Sequence, residues 1–339
     1  MAPTSNKSFI YKKIPDVYLV PGEHIVVEDR PLDLDSAPLE GGILVKVFYS
    51  SLDPYIRDRT RDPSIEDFIP ALDVDTPIVS AVVGRVIRSE SEKYQAGDLV
   101  MAFYGDHVEY ALIKGDKLKD AGLWKISNPH KLDITYFLGV LGMAGTTAFQ
   151  GLYNIAGSVG QLVGQLAKAE GLKVIGSAGS QAKIDFVVNE LGFDGAFNYK
   201  TDEPGEALKR LAPEGIDIFW DGVGGPQLDA ALMALKPYGR IVSCGTMAMY
   251  HDKPEDLYGV KNLWVVTNKY LKMEGFIVDL SIEKYEAMIE KVAPLIASGQ
   301  FKVLQDITVG IENAPEALAG IFTGKNFGKG VLQIAEPDA

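Results

Sequence analysis

The chain has 339 residues, with 33 Lys and Arg against 46 Asp and Glu and a net charge of −13. Without any basic block, that balance excludes nucleic acid and anionic membrane surfaces as partners. No apolar run is long enough to cross a bilayer, and residues 1–13 lack the apolar core of a secretion signal. A single cysteine, Cys244, rules out an internal disulfide, so a cytoplasmic protein is expected. The four histidines, His24, His107, His130 and His251, are scattered and show no ligand spacing with one another or with Cys244. No metal is therefore expected, and each histidine reads as a surface or hydrogen-bonding residue. The length suits two domains, each with its own core.

To about residue 130 the chain reads as strands. Residues 42–49, 78–87, 99–103 and 109–113 are apolar runs of strand length divided by Gly, Asp and Pro. This predicts a compact β-barrel-like domain. Residues 51–57, Ser-Leu-Asp-Pro-Tyr-Ile-Arg, form a polar and aromatic knot between strands. Residues 57–75, charged and irregular, read as a surface loop beside a cleft.

From about Asp133 to Ser298 the pattern alternates. Strands are predicted at 173–177, 196–199, 215–221, 240–245 and 272–278, with helices at 181–191, 203–211, 226–235 and 282–297. Such alternation implies a parallel sheet covered on both faces, with ligands at the C-terminal strand ends. Ser177, Tyr199, Gly222, Gly245 and Phe276 fall on that rim. Gly157, Gly160 and Gly164, with Val159, Leu162, Val163 and Leu166 on one helical face, predict a glycine turn opening a helix. The N–H groups and positive end of such a helix suit a pyrophosphate. The strand ending at Ser177 carries no Asp or Glu, the residue that holds the ribose of NAD. Lys183 follows one helical turn on. An absent carboxylate and a nearby cation suit a 2′-phosphate, which favours NADPH. The tail, residues 301–334, has strand–helix–strand character.

These residues carry a family resemblance. Asp53-Pro54-Tyr55-Ile56-Arg57, residues 141–148 (Leu-Gly-Met-Ala-Gly-Thr-Thr-Ala), Phe197-Asn198-Tyr199-Lys200, residues 221–225 (Asp-Gly-Val-Gly-Gly), Cys244-Gly245 with Tyr250, and residues 325–329 (Lys-Asn-Phe-Gly-Lys) span nearly the whole chain in order. The chain resembles the zinc-independent medium-chain dehydrogenase/reductases, in the branch of leukotriene B4 dehydrogenase/prostaglandin reductases and alkenal double-bond reductases. The resemblance implies a GroES-like β-barrel catalytic domain (residues 1–132 and 301–339) and a Rossmann-type parallel-sheet domain for NADPH (133–300). It also implies reduction of the carbon–carbon double bond of an enone or enal, and a homodimer. Tyr250 would be the donor to the carbonyl oxygen, and Tyr55 would line the cleft. Lys183 and Tyr199 would hold the 2′-phosphate, with Gly157, Ser158, Val159, Gly160 and Ser180 lining the phosphate turns. Thr147 and Met143 would face the nicotinamide end, beside Cys244 and Gly245. Phe276 and Val278 would offer backbone contacts to the carboxamide, and Asn326 would approach from the tail. Where relatives often have Asn, Gly222 stands. Quinone or carbonyl reduction on the same scaffold is the alternative chemistry.

One departure from the family stands out. A dinucleotide fold needs a buried strand just before its glycine turn. Residues 142–155 show no β-branched run, and residues 148–155 read as helical. Relatives carry a turn and a strand there, on the order of a dozen residues, whereas here Ile155-Ala156 runs directly into Gly157-Ser158. The first strand is thus read as truncated. The missing piece is a lost coding segment, a stretch of residues dropped from the chain, or a role that residues 138–155 take over. The neighbours of that strand should lack a partner, and NADPH should bind poorly, so a catalytically impaired variant is a further alternative.

Overall fold

The strand-rich ends of the chain build one compact unit, Met1–Gly139 with Leu304–Ala339, and the alternating middle builds another, Val140–Val303. The computed structural model describes residues 3–67, 69–152, 160–250 and 252–337. Gly157, Ser158 and Val159 therefore lie outside the described residues.

In the first unit, β1 (Lys7–Tyr11), β2 (Ile25–Asp29), β3 (Ile43–Ser51), α1 (Tyr55–Arg59), β4 (Thr76–Pro77), β5 (Val79–Ser89), β6 (Leu99–Asp106), β7 (Tyr110–Ile113) and β8 (Leu123–Lys125) precede the alternating segment. β1 pairs with β2 and β4 in a small sheet. The large sheet is centred on β3 and β5, whose runs are buried on most positions of both faces. Two apolar clusters line it, one around Phe9, Tyr11, Leu52 and Ile56, the other around Val45, Val82, Val86 and Val100.

In the second unit come α2 (Met143–Gln150), α3 (Gly160–Ala169), β9 (Ile175–Ala178), α4 (Gln181–Asn189), β10 (Gly195–Asn198), α5 (Pro204–Leu211), β11 (Ile216–Asp221), α6 (Gly225–Ala234), β12 (Leu235–Ser243), α7 (Val265–Asn268), β13 (Lys272–Gly275) and α8 (Ile282–Ala297). The chain then returns to the first unit with β14 (Gln305–Val309), α9 (Ala314–Phe322) and β15 (Lys329–Gln333). Ala314, Leu318 and Ile321 of α9 enter the Phe9 cluster, and β15 pairs with β3. The tail thereby completes the core that the N-terminal segment begins. The large sheet reads β14-β15-β3-β5-β6-β8, with β7 also on β3. Its ends, β14 and β8, pair with no further strand among the described residues, but the Phe9 amide donates to the His107 carbonyl and the Glu109 amide to the Lys7 carbonyl, so the two sheets are joined in the barrel-like, not fully closed, arrangement expected. The strand runs in the sequence signalled strands, not closure.

Every strand pair of the second unit is parallel. The pairs form two pieces, β10-β9 and β11-β12-β13. A doubly wound sheet with these connections would read β10-β9-x-β11-β12-β13, where x is the strand entering α3. Among the described residues no strand occupies x. β9 and β11 are therefore each paired on one edge only. Strands of a parallel sheet covered by helices are normally buried on both faces. Here Ile175, Ile216, Ile218, Phe219 and Trp220 all remain partly exposed.

The two pieces are tied together away from position x. The Ser177 hydroxyl donates to Gln227 Oε1 at 2.8 Å. Phe197, Ala207 and Leu208 pack with Ala231, Ile216 and Phe219. α3 is also anchored. A Cβ added at Gly164 would sit 1.8 Å from the Phe193 ring, so only glycine lets the helix lie this close. Gln165, buried in α3, bonds both backbone groups of Lys302, at 2.8 and 3.0 Å. The helices of a dinucleotide fold are thus assembled around a strand position that no described residue fills. A strand-forming insertion of about ten residues between Ala156 and Gly157 is expected to raise Tm by roughly 5–10 °C. An unchanged or lower Tm in calorimetry means that the fold gains nothing from a central strand.

Candidate active site

The first half of the site stands at the C-terminal ends of β9 and β10. Ser180 is extended (φ −158°) and caps α4, its hydroxyl accepting from the Lys183 amide at 3.4 Å. This fixes Lys183 in the first turn of α4. Tyr199 follows β10 directly, and its amide donates to the Ala178 carbonyl at 3.1 Å. The residue stays 43 % exposed. Between them runs Gly179, where an added Cβ would meet the Tyr199 hydroxyl at 2.7 Å and Lys200 Cε at 3.2 Å. Glycine there lets a phenol and an ammonium stem close over the loop. Ser180, Lys183 and Tyr199 are thus brought together, and no carboxylate ends β9. These residues fit a phosphorylated ribose and would disfavour a bare diol. Sequence reasoning gave Lys200 no role, since only the fold of Gly179 beneath it brings it here.

The second half lies at the C-terminal ends of β11, β12 and β13. Asp221 ends β11 and accepts from the amides of Val223 (3.1 Å) and Gly224 (2.7 Å), an Asx turn that shapes the Gly-Val-Gly-Gly loop. Its carbonyl accepts from Cys244 and Gly245. Gly222 and Gly245 face each other, with a Cβ on Gly245 3.5 Å from the Gly222 carbonyl. The next loop docks back on this one, Met247 and Ala248 donating to the Gly222 and Val223 carbonyls. That contact places half-buried Tyr250 on the same rim as Cys244 and Gly245. Phe276 follows β13, its amide 3.4 Å from the Ser243 carbonyl and its ring edge-on to Trp220 at 5.8 Å. Val278 is partly buried two residues on. Burial, and then Asp221, push the Cys244 thiol up to about 12, so it is an inert wall and no nucleophile. Thr147 sits in α2, its hydroxyl on the Met143 carbonyl at 2.8 Å. The Ser177–Gln227 bond brings β9 beside the first turn of α6, the helix that follows β11.

Tyr55 and Asn326 belong to the other unit. Asn326 donates to the Gly328 carbonyl at 2.8 Å. Tyr55 opens α1 beside a buried polar cluster that the sequence did not reveal. Lys329 bonds Asp53 (3.0 Å) and the Leu52 and Gly330 carbonyls (2.8 and 3.0 Å). His107 has no exposed surface and takes the hydrogen-bonding half of its expected reading. Its two ring nitrogens contact Ser50 Oγ (3.2 Å) and Ser80 Oγ (2.6 Å). Among the described residues, no group of three or more His, Cys, Asp or Glu could hold a metal. Nor is any helix long and apolar enough to cross a membrane.

Comparison with known proteins supplies the family. Two family models match, "N-terminal domain of oxidoreductase" at residues 26–120 and "Zinc-binding dehydrogenase" at residues 158–294. An NADP-dependent oxidoreductase RED1 of Cochliobolus heterostrophus is 41 % identical, covering 98 % of both chains. The chain is a medium-chain dehydrogenase/reductase. It belongs to the zinc-independent alkenal-reductase branch, which also holds a tobacco (Nicotiana tabacum) NADP(+)-dependent 2-alkenal reductase, 37 % identical over 98 % of each chain. The crystal structure of CurA from Vibrio vulnificus, in complex with NADPH, superposes with a TM-score of 0.82 at 29 % identity, over 98 % of this reductase and all of CurA. The first two alignments run over 348 and 349 positions, longer than the 339 residues of this reductase. Those relatives therefore carry residues without a counterpart here, in keeping with the split sheet.

Burial, together with the Lys329 charge, holds the His107 imidazole neutral down to about pH 3. In the unfolded chain it takes up a proton near pH 6.5. Its contribution to stability is thus complete above pH 6.5 and is lost as pH falls toward 3, by about 1.4 kcal/mol per unit. Asp106, pushed up to about 6 by burial, acts in the opposite sense between its unfolded value of 3.8 and 6. The difference in urea stability between the wild type and His107→Gln isolates the histidine. That difference should shrink as pH falls from 7 to 4.5, and a constant difference would show that His107 does not titrate this way.

Proposed function

We propose that this chain reduces the carbon–carbon double bond of α,β-unsaturated ketones or aldehydes with NADPH. The observation that carries the reading is the β9–β10 rim. Lys183, Tyr199 and Ser180 gather there around a strand end without a carboxylate, in a chain whose full-length relative is named a 2-alkenal reductase. Lys183 and Lys200 would offer charge to the 2′-phosphate and Tyr199 a hydroxyl or a ring face. When bound, the cofactor supplies a hydride to the β-carbon of the substrate. Tyr250 donates a hydrogen bond to the carbonyl oxygen, where negative charge grows, and Tyr55 lines the substrate cleft. Phe276 and Val278 hold the carboxamide through their backbone, while Thr147 and Met143 border the nicotinamide. A homodimer is the assembly we infer. Tyr238, Tyr270 and Met273 stay exposed along or beside the outer strand β13, an edge of the kind a second copy covers.

A second reading is favoured by the split sheet. The chain would then be an impaired member of its branch, with a cofactor floor lacking its central strand. The strand-inserted variant separates the two, because activity that arises only after insertion supports impairment.

A charge-assisted hydrogen bond contributes roughly 1.5–3 kcal/mol, so Lys183→Ala should weaken NADPH binding by about 10- to 100-fold. NADH binding should change less than about twofold. Fluorescence titration with both cofactors checks this, and equal losses would remove Lys183 from phosphate recognition.

A further inference from the structure

A groove along α5 and α6 of the second unit has no part in the reading so far. Its volume is about 730 Å³, within the range of roughly 300–1,000 Å³ that small-molecule sites occupy. Pro226, Asp229, Ala230, Met233 and Ala234 recur at i, i+3, i+4, i+7 and i+8, so one whole face of α6 forms a wall. The groove also follows α5, whose eight residues span about 12 Å. It ends beside Gly215, Leu235 and Lys269, which precede or open β11, β12 and β13. None of the residues assigned to the cofactor lines it. The wall opposite is pinned. Buried Asp229 accepts from the Tyr258 hydroxyl at 2.7 Å and from the Lys261 and Asn262 amides at 3.0 and 2.8 Å. The groove therefore exists before any ligand arrives.

Its lining is apolar in the middle and cationic at the margin. The alanines leave the space open, and Met233 is 52 % exposed, a soft apolar chain turned to solvent instead of a core. Two of the three acids that line the groove are spent. Glu203 accepts from the Gly205 and Glu206 amides at 3.0 and 2.7 Å, and Asp229 is saturated as above. Only Glu214, exposed, is uncommitted. Among the lysines, Lys236 is paired with Asp217 at 3.0 Å. The Lys269 ammonium caps α6 on the Met233 and Leu235 carbonyls, at 2.7 and 2.5 Å, and meets no carboxylate there. Lys261 Nζ lies 5.5 Å from the centroid of the Tyr258 ring. Neither it nor Lys209 makes an ion pair among the described residues. In a chain of net charge −13, this groove thus sets three uncompensated ammonium groups against one free carboxylate.

We propose that the α5–α6 groove is a second small-molecule site, for a fatty carboxylate, with the chain along the Ala and Met wall and the anionic end drawn to Lys209 and Lys261. An elongated trough suits an unbranched chain, and the excess of ammonium groups selects the anion over the neutral alcohol. The site lies within the second unit and is independent of the enone-reductase reading.

The test is isothermal titration calorimetry of the full-length protein with decanoate, below its micelle concentration, and with 1-decanol as the neutral counterpart. Decanoate should bind at one site per chain, and more tightly than 1-decanol. Lys209→Gln combined with Lys261→Gln should weaken decanoate about 10- to 100-fold and 1-decanol less than about twofold. Met233→Trp, which fills the trough from an exposed position, should remove the binding of both ligands at an unchanged melting temperature. The two lysines are exposed as well, so their replacement leaves the core intact. Absence of decanoate binding, an equal loss for the two ligands in the lysine variant, or decanoate binding that survives Met233→Trp would each overturn the proposal.

Discussion

A parallel strand must be hydrogen-bonded along both edges and covered on both faces, and everything in the second unit follows from how nearly this is achieved. β9 and β11 have the right partners on their outer edges and the right helices around them. Gly164 against Phe193 and Gln165 on Lys302 show that α3 is seated as a dinucleotide fold needs it. The strand that should feed it is absent among the described residues, and the side chains of β9 and β11 are left half-covered. Buried backbone groups without partners are costly. Side-chain ties such as Ser177–Gln227 and the Phe197–Ala231 packing carry the connection that a ladder would otherwise carry.

The two units differ in the chemistry they present. The strand ends of the second unit provide backbone turns, two lysines and a phenol, all suited to holding phosphates and an amide. The first unit holds a buried polar cluster of Ser50, Ser80 and His107, and a Lys329–Asp53 pair. Cys244 directly follows β12, where burial and Asp221 suppress its thiolate.

Much of this was legible in the residues. The alternating pattern gave β9 to β13 in order, and the lack of an acid after Ser177 with Lys183 beyond it, visible in the residues alone, underlies the proposed phosphate contact. The absent β-branched run before Gly157 announced the split in the sheet. What escaped the sequence depended on long-range contact. His107 meets Ser50 and Ser80 from positions 57 and 27 residues away, and a lone histidine carries no sign of such partners. Lys200 reaches the rim only because Gly179 turns beneath it. β1 and β2 escaped notice because each is a five-residue run broken by Ser8 or ended by acids, too short for an alternation to register.

The most direct test of the split sheet is residue-resolved hydrogen exchange on the free protein. The amides of β9 that face β10, and those of β11 that face β12, should be protected, while amides on the opposite edges of both strands exchange at least about tenfold faster. Uniform protection along both edges would show that a partner strand is in place between them, and would contradict the account.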